Sequence, residues 1–262
     1  MTEHPGFGAM LARLLDHRGL GGQDLADRAG VGEGEVRAVL AGDGPGAELL
    51  RRLAPALGFH TVDLFILARR AVPDDMAPLD ATAAPWVKGT VTTAVRLPAA
   101  ERRELLRLVR SLPKEERRSR FTPRPIMPLA GGPGAWVVRM LQYRNLTWTG
   151  MATTLAFTTP TYLSAATYGV IGSGRKELTP RLLTDFAALL GIDARDLAAL
   201  TGVVLREVPP PPPPPAVDVA ALLWAARRLS AAQARHICEL APSLRGDSRG
   251  AHGPSGQRHD QD

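Results

Sequence analysis

Residues 20–42 read LGGQDLADRAGVGEGEVRAVLAG, and their apolar positions are spaced in a way that fixes a local geometry. Leu25 and Ala29 lie one helical turn apart, so both face inward. Ala26 is small enough for a close helix crossing. Gly30 has no Cβ and can take the left-handed conformation that redirects the chain before Val31. Val36 and Val39 then seat a second helix. The spacing predicts two short helices joined by a tight turn, a helix-turn-helix in which the second helix is held outward.

Outward from this stretch, the same plan occurs twice. Leu14-Leu15-Asp16-His17-Arg18-Gly19-Leu20 aligns with Met140-Leu141-Gln142-Tyr143-Arg144-Asn145-Leu146 at an offset of 126. LLRRLAPALGF (49–59) aligns with LLTDFAALLGI (182–192) at 133, and RLPAAERRELLRLVRSL (96–112) with RLSAAQARHICELAPSL (228–244) at 132. The second copy therefore carries a few extra residues before Leu182. Apolar residues recur at three and four, as in Leu11, Leu14 and Leu15, or Leu50, Leu53 and Leu57. Gly58 and Gly191 are placed to end helices in a left-handed cap. Alternating strand patterns are nearly absent.

The Leu-Ala, Gly-Val and later Val positions of the first copy resemble the Cro and phage-repressor type of helix-turn-helix, the XRE-like family of bacterial regulators. The resemblance covers about 6–70 and again about 134–205, where Met151-Ala152, Leu155-Ala156-Phe157, Tyr162 and Ala165 take the same places with substitutions. It implies an all-α fold of two tandem five-helix Cro/repressor-like helix-turn-helix modules, 6–72 and 134–206. Each is followed by a short helical pair, 84–112 and 216–244. The Pro-, Arg- and Gly-rich residues 113–133 read as the linker between halves. Seven consecutive prolines, 209–215, read as a polyproline II spacer of roughly 20 Å or as a ligand for an aromatic-lined groove. The polar, Gly-rich tail 245–262 reads as disordered.

The resemblance implies double-stranded DNA as the partner and a sequence-preferring transcriptional regulator as the function. Two departures stand out. The Gln that often opens the family's motif is Gly22 in one copy and Trp148 in the other, and the turn glycine of the second copy is Ala156. Charge separates the copies. Residues 1–75 hold 8 basic and 11 acidic side chains, and residues 134–206 hold 7 and 4. Since DNA affinity comes largely from phosphate neutralisation, the second copy is the expected contact and the first is expected to serve structure or dimerisation. In the second copy, Thr158 is expected to cap the reading helix and Pro160 to fall in its first turn. Tyr162 and Ala165 would then face the core. Thr159, Thr161, Ser164 and Thr167 would face the groove, with Arg175 and Lys176 on the backbone just beyond. Arg37 is the corresponding cation of the first copy. A competing reading makes the uncharged run 145–174 a docking face for a protein partner or a homodimer.

Residues 101–124 hold nine Arg or Lys and four Glu. Pairing at three and four along the helix reads as a solvated face, while its continuation could grip DNA backbone as an arm. One cysteine, Cys238, excludes an internal disulfide framework, and the six His have no metal-ligand spacing. No phosphate-binding loop or nucleophile–base set is present, so neither an enzyme nor a cofactor is expected. The uncharged run is long enough to cross a membrane but rich in Thr and Gly, and the chain opens without a leader-like segment. A soluble cytoplasmic protein is expected. The Arg bias, with only three Lys among 32 basic residues, suggests a high-GC bacterial source.

Overall fold

In the computed structural model, residues 5–126 and 132–247 are described, and they form helices with no strand among them. The fold of the described residues is all-α. The first five helices are α1 (Phe7–Arg18), α2 (Gly22–Ala29), α3 (Glu33–Leu40), α4 (Ala47–Ala56) and α5 (Thr61–Leu67). Their ends follow local chemistry. Gly19 and Gly30 close α1 and α2 at φ 61° and 62°. Glycines also open α2 and α3, where no side chain can cap. Instead the Asp24 and Glu35 carboxylates accept the Gly21 and Gly32 N–H groups at 2.7 and 3.0 Å. A 3-10 turn (Ala81–Ala83), α6 (Ala84–Ala94) and α7 (Ala99–Ser111) follow.

Beyond residue 131 come α8 (Pro133–Gln142), α9 (Trp148–Thr158), α10 (Ala165–Gly172), α11 (Pro180–Leu190) and α12 (Ala194–Thr201). Then come α13 (Pro214–Ala226), α14 (Ala231–Leu240) and a last turn, α15 (Leu244–Asp247). The sequence repeat returns as geometry. A Cβ added to Gly8 would stand 2.1 Å from the Val39 carbonyl oxygen, and one added to Gly134 would stand 2.3 Å from that of Ile171. The same glycine thus lets α1 touch α3 and α8 touch α10 at backbone distance. Gly19 and its counterpart Asn145 are both left-handed, at φ 61° and 60°.

The two halves pack reciprocally. α1 lies on α12 and α8 on α5, while α6 packs on α14 and α13 on α7. Two ion pairs repeat across this pseudo-twofold relation. Arg18 donates to Asp196 at 3.0 and 2.7 Å and to the Leu57 carbonyl at 2.9 Å. Arg144 donates to both oxygens of Asp63 and to the Leu190 carbonyl, each at 2.9 Å. Asp63 and Asp196 are equivalent residues, as are Leu57 and Leu190, at an offset of 133. Each half therefore places its arginine on its own helix end and on the other half's aspartate. Cys238 of α14 sits against Gly89 of α6, where a Cβ would stand 2.6 Å from its sulfur.

The segment after α7 is held down. Arg117 donates to the carbonyls of Asp74, Ala77 and Pro78 at 2.7, 2.9 and 2.7 Å, and Ile126 is buried. Residues 127–131 of the expected linker, and the expected tail beyond 247, lie outside the described residues. The proline run is shorter as a spacer than its sequence suggests. Pro213 is extended (φ −62°, ψ 147°), but Pro214 and Pro215 open α13, where a missing N–H costs nothing.

The expected reading helix of the second half has a different register. Thr158 is not its cap. It ends α9, and its hydroxyl donates back to the Thr154 carbonyl at 2.7 Å. Pro160 lies in the connection between helices, not in a first turn. Tyr162 does not face the core but is 80 % exposed, and Ala165 begins α10 without being buried. The extra residues sit between α9 and α10, since no glycine stops α9 at Ala156 and the helix runs on. From there the offset is 132, so Leu163, Tyr168 and Ile171 take the places of Val31, Val36 and Val39.

Candidate nucleic-acid interface

α10 is seated by apolar residues from below and presents small ones above. Tyr168 and Ile171 are fully buried, with the Tyr168 ring 5.9 Å from that of Phe186. Burial pushes the Tyr168 phenol well above its usual range, so it stays neutral. The outward positions are Ser164, Ala166, Thr167, Gly169 and Val170, of which Ser164 and Ala166 are exposed and the rest half-buried. The Ser164 and Thr167 hydroxyls bond each other at 2.9 Å, leaving each oxygen further hydrogen-bonding capacity. This face can enter a groove closely and can touch phosphates or thymine methyls, but it has no fork-shaped donor for guanine.

Cations gather just past the C-terminus of α10. The Arg175 and Lys176 N–H groups both reach the Val170 carbonyl, at 3.1 and 3.2 Å, with Gly174 left-handed between helix and cations at φ 72°. The Arg175 Nε donates to the Ser173 hydroxyl at 3.0 Å, and that hydroxyl donates to the Val170 carbonyl at 3.0 Å. Both cationic side chains are exposed. Lys176 and Arg206 line an open cleft of about 950 Å³ beside the first residues of α8.

Ser164 and Thr167 thus stand together at the start of α10, and Arg175 and Lys176 follow its end. Two other expected residues are engaged elsewhere. Thr159 donates to the Leu155 carbonyl at 2.9 Å and accepts from the Thr161 N–H at 3.3 Å. The Thr161 side chain lies beside the Asp185 carboxyl. Both fasten the α9–α10 connection. Arg37 lies on α3 of the first half, in an exposed pair with Glu33. Glu35 beside it serves as a cap, so the α3 face carries an acidic front bound up in its own helix. Sequence reasoning missed Ala166, Gly169, Val170 and Arg206. The first three become legible once the offset of 132, already present at residues 228–244, is carried back to Leu163.

Aromatic groups flank the same region. Phe157 is 39 % exposed at the end of α9 with the Arg96 guanidinium 5.5 Å from its ring centre, and Tyr162 stands out from the connection. No helix among the described residues is long and apolar enough to cross a membrane. Comparison with family models, curated proteins and solved structures returns no match to this chain.

Proposed function

We propose that the chain is a sequence-preferring DNA-binding regulator built from two helix-turn-helix modules of the XRE-like kind, with DNA contacted mainly by the second. One observation carries this reading. α10 is held outward on α8 and α9 as α3 is on α1 and α2, and two exposed cations, Arg175 and Lys176, stand at its C-terminal end. The charge balance of residues 134–206, 7 basic against 4 acidic, supports it. α10 supplies close approach and hydroxyl contacts, and the cations hold phosphates. Sequence preference then rests on methyl contacts and on groove shape more than on base-edge forks.

Fluorescence anisotropy with duplex DNA between roughly 50 and 200 mM salt tests the reading. Replacing Arg175 and Lys176 with Ala is expected to weaken binding to all sequences alike and to lower the salt slope by about two. Binding without sequence preference, or an unchanged slope in the double variant, would overturn it. The exposed Tyr162 and Phe157 favour a second reading, in which the same surface docks a protein or a second copy of this chain. Hydrogen exchange protection over 157–172 by a partner, with no response to DNA, would select that reading.

A further inference from the structure

Beneath the α9–α10 connection lies a cavity of about 550 Å³, bounded by α11, α12 and the extended prolines 209–213. Sites for small organic molecules span about 300–1,000 Å³ and are mostly apolar with a few convergent polar groups. Val208, Val217, Ile192 and Ala188 and the prolines line this one. Val208 and Val217 are 78 % and 51 % exposed, an apolar rim without cover.

One polar group in the wall is unusual. Asp185 is 7 % exposed, one side-chain oxygen has no hydrogen-bond partner, and Thr161 lies beside its carboxyl. The other strongly buried aspartates, Asp63 and Asp196, are each held by an arginine. No ion pair reaches Asp185 among the described residues, although Arg195 lines the same cavity. Arg195 is held instead by Asp193, at 3.3 Å. At the equivalent position the first half has Arg52, exposed and directed to the Gly30 carbonyl at 3.3 Å. Burial pushes the Asp185 carboxyl up, opposed by Thr161 and by the charge of Arg181 one helical turn away, which forms no ion pair with it.

We propose that this cavity binds a small apolar molecule carrying a single amine, with its ammonium at the Asp185 carboxylate and its hydrocarbon against the prolines. An ammonium supplies a donor and, in direct contact, a charge that Arg181 provides only at a distance. An alcohol supplies the donor alone, and a carboxylate is repelled by Asp185. The site is read without DNA and stands whether or not α10 contacts DNA.

NMR titration of the full chain with 2-phenylethylamine, 2-phenylethanol and 3-phenylpropionate tests it. The amine is expected to shift Thr161, Asp185 and Val217 saturably. The alcohol should bind about tenfold or more weakly, and the acid should not bind. Asp185→Asn keeps the volume and is expected to weaken the amine about tenfold or more. Val217→Trp, which fills the mouth of the cavity and leaves Asp185 in place, is expected to abolish binding and decides the case if Asp185→Asn does not fold. No saturable shift at these residues, equal affinity for the acid, or amine binding unchanged in a folded variant would overturn the proposal.

Discussion

Arg144 and Asp63 are both fully excluded from water, so either one alone is a buried charge without compensation. Removing one partner of such a pair typically costs about 3–5 kcal/mol. Asp63→Ala is expected to lose that much in urea unfolding. Asp196→Ala should lose less, about 1–2 kcal/mol, because Arg18 keeps 25 % of its side chain in solvent and can rehydrate. Equal losses would contradict the difference in burial. Neighbouring this pair, His60 stacks on Trp224 with ring centres 3.6 Å apart, and the Arg227 guanidinium lies 3.7 Å from the centre of the Trp224 ring. Burial, opposed by Asp63 and reinforced by Arg144 and Arg227, holds His60 down at about 4. Between that value and the ordinary 6.5 the unfolded chain binds the extra proton, so stability falls as pH falls through this window. The loss is on the order of 2–3 kcal/mol. His60→Phe should flatten the pH profile between 6.5 and 4, as measured by unfolding at fixed steps of pH.

At the scale of elements, α9 and α10 separate what periodicity can give from what it cannot. Met151 and Leu155 are fully buried, as their place in the repeat predicts. Thr158 and Pro160 carry every local mark of a helix start, yet the marks are overruled. α9 meets no glycine at Ala156 and continues, and the core needs Leu163 and Tyr168 rather than Tyr162. A cap signal is worth about 1 kcal/mol, whereas burying a large aromatic is worth several, so packing sets the register. Tyr168→Ala is expected to cost about 3–5 kcal/mol and Tyr162→Ala less than about 0.5 kcal/mol, measured by thermal and chemical unfolding. The reverse order would restore the register that the caps suggest. The candidate site was legible to the same extent. Arg175 and Lys176 follow α10 whatever its register, while Thr159 and Thr161 change sides when the helix begins six residues later than its cap signal implies.

For the whole molecule, the repeat was legible but its assembly was not. The apolar faces of α6 and α7 are patterned alike in both copies, so periodicity cannot distinguish packing within a half from exchange between halves. The exchange appears only in space, where Arg102 of α7 reaches Asp218 of α13, and Arg228 caps α7 through the carbonyls of Val109, Arg110 and Leu112. A fragment ending at residue 126 is therefore expected to associate with itself. In it Arg18 can take Asp63 of a second copy, just as it takes Asp196 here. Light scattering after size exclusion should find dimers or larger species, and a stable folded monomer would contradict the exchange. The covalent join has a further effect on how such a molecule can change. In a homodimer every substitution is made twice, once on each side of the axis, and must be tolerated on both. With the copies fused, a single lineage of mutations can enlarge one connection by six residues, strip charge from one outward helix and leave its twin acidic, while the shared seam stays symmetric.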